Sequence, residues 1–159
     1  MKTIAIIGAG NLGLSIAEGL HQNGYQLHLS RRKLPALAAW AERPNVKVFS
    51  ANASAAKDAH IVIIAVQPRH LQSVLSEIKE AITADQVVVS TAAGYGLDRL
   101  ESVLGNQQPL LRAMPNTAIS VKASMTTLSA NASGQPHNEA VKKLLYCLGH
   151  NLPDEEEQD

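Results

Sequence analysis

Three glycines, Gly8, Gly10 and Gly13, are the residues best spaced to do chemistry, in the stretch IGAGNLG. Their G-x-G-x-x-G spacing is a weak signal alone, because glycine-rich turns are common. The context strengthens it. An apolar run, Thr3 to Ile7 (TIAII), comes before, and Leu12, Ile16 and Leu20 recur four apart behind it, as far as Asn23-Gly24. That pattern reads as strand, tight turn and helix, the setting in which such glycines hold a dinucleotide. Gly8 permits the turn, Gly10 lets the backbone approach a pyrophosphate, and Gly13 lets the helix lie close on the strand. The helix start adds free N–H groups and a partial positive charge. The rival reading is a purely structural strand-to-helix turn.

The second group is Ser30-Arg31-Arg32-Lys33, which closes the next apolar run, Gln26 to Ser30. A site for NAD usually carries Asp or Glu here, to accept from the ribose hydroxyls. No acid is present. A carboxylate would repel a 2′-phosphate, whereas guanidinium groups bind one bidentately, and Ser30 can donate a further bond. NADP(H) is therefore expected in preference to NAD(H). The alternative is an exposed basic turn at a helix start, where cations are electrostatically unfavourable.

Other chemistries find little support. The six histidines (His21, His28, His60, His70, His137, His150) show no i, i+4 pair and no H-E-x-x-H, so no metal site is expected. No G-x-S-x-G elbow occurs, Asp58 and Asp98 read as helix-end or loop acids, and no carboxylate pair stands out. A catalytic residue is not identifiable. A dinucleotide fold without a catalytic dyad suits hydride transfer, in which the cofactor supplies the chemistry. It suits a non-catalytic nucleotide-binding module equally.

The elements that must position these residues alternate along the chain. Further strands are expected at Val46 to Phe49, Ile61 to Val66, Val87 to Ser90, Leu110 to Met114 and residues 124–130. Helical patterns lie at Lys33 to Ala41, Leu71 to Ile82, Leu97 to Leu104 and Asn138 to Leu148, with Gly149 as a C-cap. Asn131 to Asn138 reads as a loop. The expectation is a Rossmann-like, doubly wound α/β fold: a mostly parallel sheet of six to eight strands, with helices on both faces. In that fold ligands sit beyond the carboxyl ends of the strands. Ala65, Val66, Gln67 and Pro68 would then flank the nicotinamide half, beside the small loop Thr91-Ala92-Ala93-Gly94.

Composition bounds the rest. At 159 residues the chain can bury one sizeable core, and with 45% hydrophobic but only 3% aromatic residues that core must be aliphatic. Net charge is zero, giving no global attraction to nucleic acid or to a membrane. The last six residues hold five of the 14 acids, leaving 14 basic against 9 acidic elsewhere. That tail is either a solvated end or the start of a further segment. Cys147 is the one cysteine, which excludes an intrachain disulfide, and its apolar helical setting reads as a packed thiol. The opening MKTIAIIG has too short an apolar run, too soon interrupted by glycine, to read as a signal peptide, no run of 18 apolar residues occurs, and the cytoplasm is the expectation.

Four motifs in order, IGAGNLG, AVQP, AAG and RAMPNT (Arg112 to Thr117), resemble the pyrroline-5-carboxylate reductase family. Its usual forms are close to GAGNMG, AVKP, AAG and RxMPNTP. The resemblance covers about residues 1–150, and LGHNLPDEEEQD is similar to the family's exit from its nucleotide domain. It implies NADPH-dependent reduction of a cyclic imino acid, 1-pyrroline-5-carboxylate, to L-proline in proline biosynthesis. It also implies residue roles. Ile7, Gly8, Ala9, Gly10, Asn11 and Leu12, with Gly13 behind them, would serve the pyrophosphate. Ser30, Arg31 and Arg32 would serve the 2′-phosphate, and Asn52, in the loop after the third strand, the adenosine. Ala65, Val66, Gln67, Pro68, Ala92, Ala93 and Gly94 would line the nicotinamide half. Met114, Pro115 and Asn116 would floor the reacting ring.

Three departures qualify this. Gln67 stands where the family usually has Lys. Ala118 and Ala123 replace a second proline and a glycine. Family members also continue into a helical domain that holds the substrate carboxylate and builds the oligomer. The division expected here is residues 1–150 as an NADP-binding domain and 151–159 as an acidic tail where that domain would begin. Such a chain should bind dinucleotide better than it catalyses. A homo-oligomer is one expectation. The alternatives are a non-catalytic regulatory module and a related reductase, such as a deazaflavin-dependent NADP reductase; RAMPNT argues against the latter.

Overall fold

The computed structural model describes residues 2–116 and 124–150. Thr117, Ala118, Ala123 and the acidic stretch 151–159 lie outside the described residues, as do the side chains of Pro115, Asn116 and Cys147.

Seven strands form a single sheet: β1 (Thr3–Ile7), β2 (Gln26–Ser30), β3 (Val46–Phe49), β4 (Ile61–Ile64), β5 (Val87–Ser90), β6 (Leu110–Asn116) and β7 (Ser124–Ala130). Their order is β3-β2-β1-β4-β5-β6-β7. The first six are parallel and β7 runs antiparallel to β6. The helices are α1 (Asn11–Gln22), α2 (Ala38–Ala41), α3 (Asn52–Ala56), α4 (Pro68–Lys79), α5 (Leu97–Leu104) and α6 (Asn138–His150).

Period-two alternation within each apolar strand sends side chains to two separate cores. Ile4, Ile6, Leu27, Leu29, Ile61, Ile63, Val87 and Val89 meet α1, α2 and α6 on one face. Ala5, Ile7, Val62, Ile64 and Val88 meet α3, α4 and α5 on the other. Strands buried on both sides must be apolar throughout, which is why TIAII and IVII contain no polar residue after Thr3. Winding begins at β1, moves outward to β3, then returns to β4 on the other side. The reversal leaves a crevice between the carboxyl ends of β1 and β4.

Four local expectations change. The helix expected over Lys33 to Ala41 is a 3-10 turn, Leu34–Leu37, followed by the short α2. Pro35 has no N–H to donate, and the segment is too short for a periodic signal. Asn52 opens α3 rather than lying in a loop. The strand at Ile61 ends at Ile64, and Gln67 and Pro68 start α4, with proline at a position where a missing N–H costs nothing. Finally, α6 continues through Gly149 to His150 instead of stopping before it. On β6, pairing with β7 shifts register between Met114 and Pro115, where proline cannot supply a ladder donor.

The sheet edge away from the glycine turn is closed by buried amides. Gln86 Nε2 donates to the carbonyls of Ala56 (2.8 Å) and Ala59 (2.7 Å), while its Oε1 accepts from the Thr83 N–H. Gln108 Nε2 donates to the carbonyls of Thr83 and Gln86. Asn131 Oδ1 accepts from the N–H groups of Leu110 and Gly134, and its Nδ2 donates to Gln108 O and Glu101. These side chains satisfy backbone groups that three loops would otherwise bury unpaired. Gln86→Leu should therefore lower unfolding free energy by roughly 1–3 kcal/mol, read from chemical denaturation followed by Trp40 fluorescence.

Candidate functional site

At the carboxyl end of β1 the backbone turns through Gly8 with φ +83°, a conformation that favours glycine. A β-carbon there would also run into Val66 Cγ1. A β-carbon on Gly13 would lie 2.8 Å from the Gly8 carbonyl oxygen and 3.3 Å from Ile6 Cγ2, so α1 sits against the strand only because that atom is missing. Gly10 differs: nothing lies within 4 Å of its β position. The space over the start of α1 is open, as a pyrophosphate requires.

Hydrogen bonding separates held donors from free ones. The Gly8 N–H donates to Ser30 Oγ (3.3 Å), the Ala9 N–H to Ser30 O (2.8 Å) and the Gly10 N–H to Gly8 O (2.7 Å). The first helical bond runs from Leu14 N–H to Gly10 O. The N–H groups of Asn11, Leu12 and Gly13 are left without a backbone acceptor, and no side chain caps them. They are the donors, reinforced by the helix dipole, that an anion would meet.

The end of β2 supports this turn and divides the two arginines. Arg31, half-buried, donates from Nη1 to the Ala9 carbonyl at 3.2 Å. Arg32 is exposed and lines a cavity of about 490 Å³ with Ser50, Ala51, Asn52, Ala53, His70, Ser73, Val74 and Glu77. Ser30 is fully buried and donates to Asn52 Oδ1 at 2.8 Å. Asn52 Nδ2 in turn donates to Glu77 at 2.6 Å.

A second cavity, about 390 Å³, occupies the crevice between β1 and β4. It gathers most of the residues expected along the nicotinamide half (Ala65, Val66, Gln67, Pro68, Ala92 and Ala93), with Thr91 in addition, and joins them to Gly10, Asn11 and Leu12 of the expected pyrophosphate set. Its walls are tied to the strand ends. The Ala65 N–H donates to Ile7 O, and Thr91 donates to Ile64 O from both its N–H and its Oγ1. Ile7 itself is fully buried at the end of β1. Gly94 takes φ +76° in the turn after β5 and does not line this cavity. Met114 does not line it either; it is half-buried on β6, with its Sδ 3.7 Å from Arg112 Nη2. Pro115 and Asn116 continue that strand. The polar side of α4, with His70, Ser73 and Glu77, went unread in the sequence. Only its apolar stripe carried a periodic signal, and the polar residues gain meaning once α3 is packed beside it.

Residues 3–94 match the family described as "NADP oxidoreductase coenzyme F420-dependent". The chain belongs to this family. The NADP oxidoreductase match covers β1 to β5 and ends before RAMPNT. Similarity to individual proteins extends further. The chain is 35% identical over 153 residues to the pyrroline-5-carboxylate reductase of Escherichia coli, covering 93% of this chain and 57% of that protein. It is 33% identical over 171 residues to pyrroline-5-carboxylate reductase 1 of Dictyostelium discoideum, covering 98% of this chain and 31% of that one. A solved pyrroline-5-carboxylate reductase structure from Coxiella burnetii superposes with TM-score 0.81 at 30% identity, over 91% of this chain and 56% of the other. The chain thus spans between a third and three fifths of the length of the proteins it matches. No helix among the described residues is long and apolar enough to cross a membrane, and no group of three or more His, Cys, Asp or Glu among them could hold a metal.

The glycine geometry gives a paired test. Gly13→Ala should destabilise the fold by roughly 1–3 kcal/mol, because backbone must move to admit the methyl group. Gly10→Ala should leave the unfolding transition in place yet weaken dinucleotide binding about tenfold or more, about 1.4 kcal/mol, since its methyl projects into the open cradle. Thermal unfolding and fluorescence titration of each variant check both halves.

Proposed function

We propose that residues 1–150 form the cofactor-binding unit of an NADPH-dependent reductase of the pyrroline-5-carboxylate type, acting on a cyclic imino acid. One observation carries the dinucleotide part: open space over Gly10, facing free N–H groups at the start of α1, at the crevice where strand order reverses. The preference for NADP rests on the end of β2, where Ser30, Arg31 and Arg32 stand in place of an acid.

In this reading Asn11, Leu12 and Gly13 hold the pyrophosphate through backbone N–H groups. Arg32 meets the 2′-phosphate, with Asn52 beside it, while Arg31 keeps the loop in place through the Ala9 carbonyl. Ala65, Ala92 and Ala93 leave room for a flat ring, and Val66 and Pro68 shield it from water. Met114, Pro115 and Asn116 floor the approach of the substrate. When bound, NADPH supplies the hydride that reduces the C=N carbon. The imino-acid substrate is supported by similarity running through β6 and RAMPNT. A second reading, a deazaflavin-dependent NADP reductase, is favoured by the family description over residues 3–94.

Titration of NADPH and NADH against Trp40 fluorescence tests the cofactor assignment. NADPH should bind more tightly. Arg32→Ala should weaken NADPH by roughly tenfold to a hundredfold, the worth of a charge-assisted bond, and NADH little. Arg31→Ala should weaken both. Equal binding of the two cofactors by the unmodified chain would refute the NADP preference. Oxidation of NADPH with 1-pyrroline-5-carboxylate, set against electron transfer to an oxidised deazaflavin, separates the two reductase readings. Activity with neither leaves a nucleotide-binding module.

A further inference from the structure

Glu77 belongs to none of the sequence motifs. It is exposed on α4, on the side away from Leu71, Val74, Leu75 and Ile78, which pack into the core. Yet it terminates a chain of hydrogen bonds that begins inside the glycine turn. The Gly8 N–H donates to Ser30 Oγ at 3.3 Å, Ser30 Oγ donates to Asn52 Oδ1 at 2.8 Å, and Asn52 Nδ2 donates to Glu77 Oε1 at 2.6 Å. The links join residues from the turn after β1, from β2, from α3 and from α4 that are 22 to 25 positions apart at each step.

The direction of this relay is set by its two ends. A backbone N–H can only donate, and a carboxylate can only accept. The hydroxyl and amide between them can each turn over. Were the amide reversed, Asn52 would aim its NH2 at Ser30 Oγ, which already accepts from Gly8, and Ser30 would lose the acceptor for its own proton. Ser30 is fully buried, out of reach of bulk solvent. A carboxylate at position 77 permits only one arrangement: Nδ2 toward α4, Oδ1 toward Ser30.

We infer that Glu77 is a positioning residue of the dinucleotide site, acting through Asn52 and Ser30 on the Gly8 turn. This rests on the reading that the turn binds a dinucleotide. Glu77 touches no reacting atom. It fixes the amide that shares the outer cavity with Arg32, and through Ser30 it steadies the N–H of a glycine at positive φ.

The test uses the full chain with NADPH and NADH, by calorimetric titration of the unmodified protein, Glu77→Ala and Glu77→Gln. Binding by the unmodified chain comes first; its failure rejects the dinucleotide reading itself. Given that binding, Glu77→Ala should weaken both cofactors by roughly fivefold to twentyfold, the loss of about one directed hydrogen bond. Glu77→Gln retains an acceptor oxygen and should recover most of that loss. The side-chain NH2 resonances of Asn52 should move in the alanine variant and stay near their original positions in the glutamine variant. Thermal unfolding should be unchanged in both. Three results overturn the inference: unaltered affinity in Glu77→Ala; tighter NADPH binding alone, which would make the carboxylate a charge opposing the 2′-phosphate; or equal loss of folding stability in both variants.

Discussion

The contact between Gly13 and the carbonyl of Gly8 is the constraint on which the site depends. Because no β-carbon intervenes, α1 comes down onto the end of β1, and its first N–H groups stay beside the strand that leads into them. A larger residue would push the helix outward and tilt those donors away from the crevice. Gly8, at positive φ, turns the chain sharply enough for the helix to start at Asn11. Sheet order then decides where the donors point, since β4 lies on one side of β1 and β2 on the other. The crevice beside β4 and the cavity beyond β2 thus lie on the two flanks of one strand.

The two edges of the sheet treat polar backbone in opposite ways. At the amino edge, Gln86, Gln108 and Asn131 pair with the carbonyls of Ala56, Ala59, Thr83, Gln86 and Gln108 and with the N–H groups of Thr83, Leu110 and Gly134. At the carboxyl edge, the loop's own N–H groups are satisfied at Gly8, Ala9 and Gly10 and left open at Asn11, Leu12 and Gly13. The open donors act together because all belong to one helix start and share its dipole.

Much of this was legible in the residues. Fully apolar runs such as IVII announce strands covered on both faces, and their alternation with helical stripes leaves little choice but a parallel sheet. All seven strands keep at least one expected boundary, and the chain's membership of an NADP oxidoreductase family agrees with the glycine spacing. What escaped were features made by tertiary packing. α3 spans five residues, too few for a period to show, so Asn52 read as loop. Glu77 and Asn52 meet only when α3 packs on α4. The unlike roles of Arg31 and Arg32 cannot be told from adjacent identical side chains, because one points along the strand end and the other away from it.

The glycine loop is bound to its neighbour at three points: Gly8 N–H to Ser30 Oγ, Ala9 N–H to Ser30 O, and Ala9 O to Arg31. Such a loop is an extension of the sheet in mechanical terms, not a lid. Its shape is set during folding, so little conformational entropy remains to be lost when an anion arrives. A ligand held this way could arrive and leave without the loop rearranging around it.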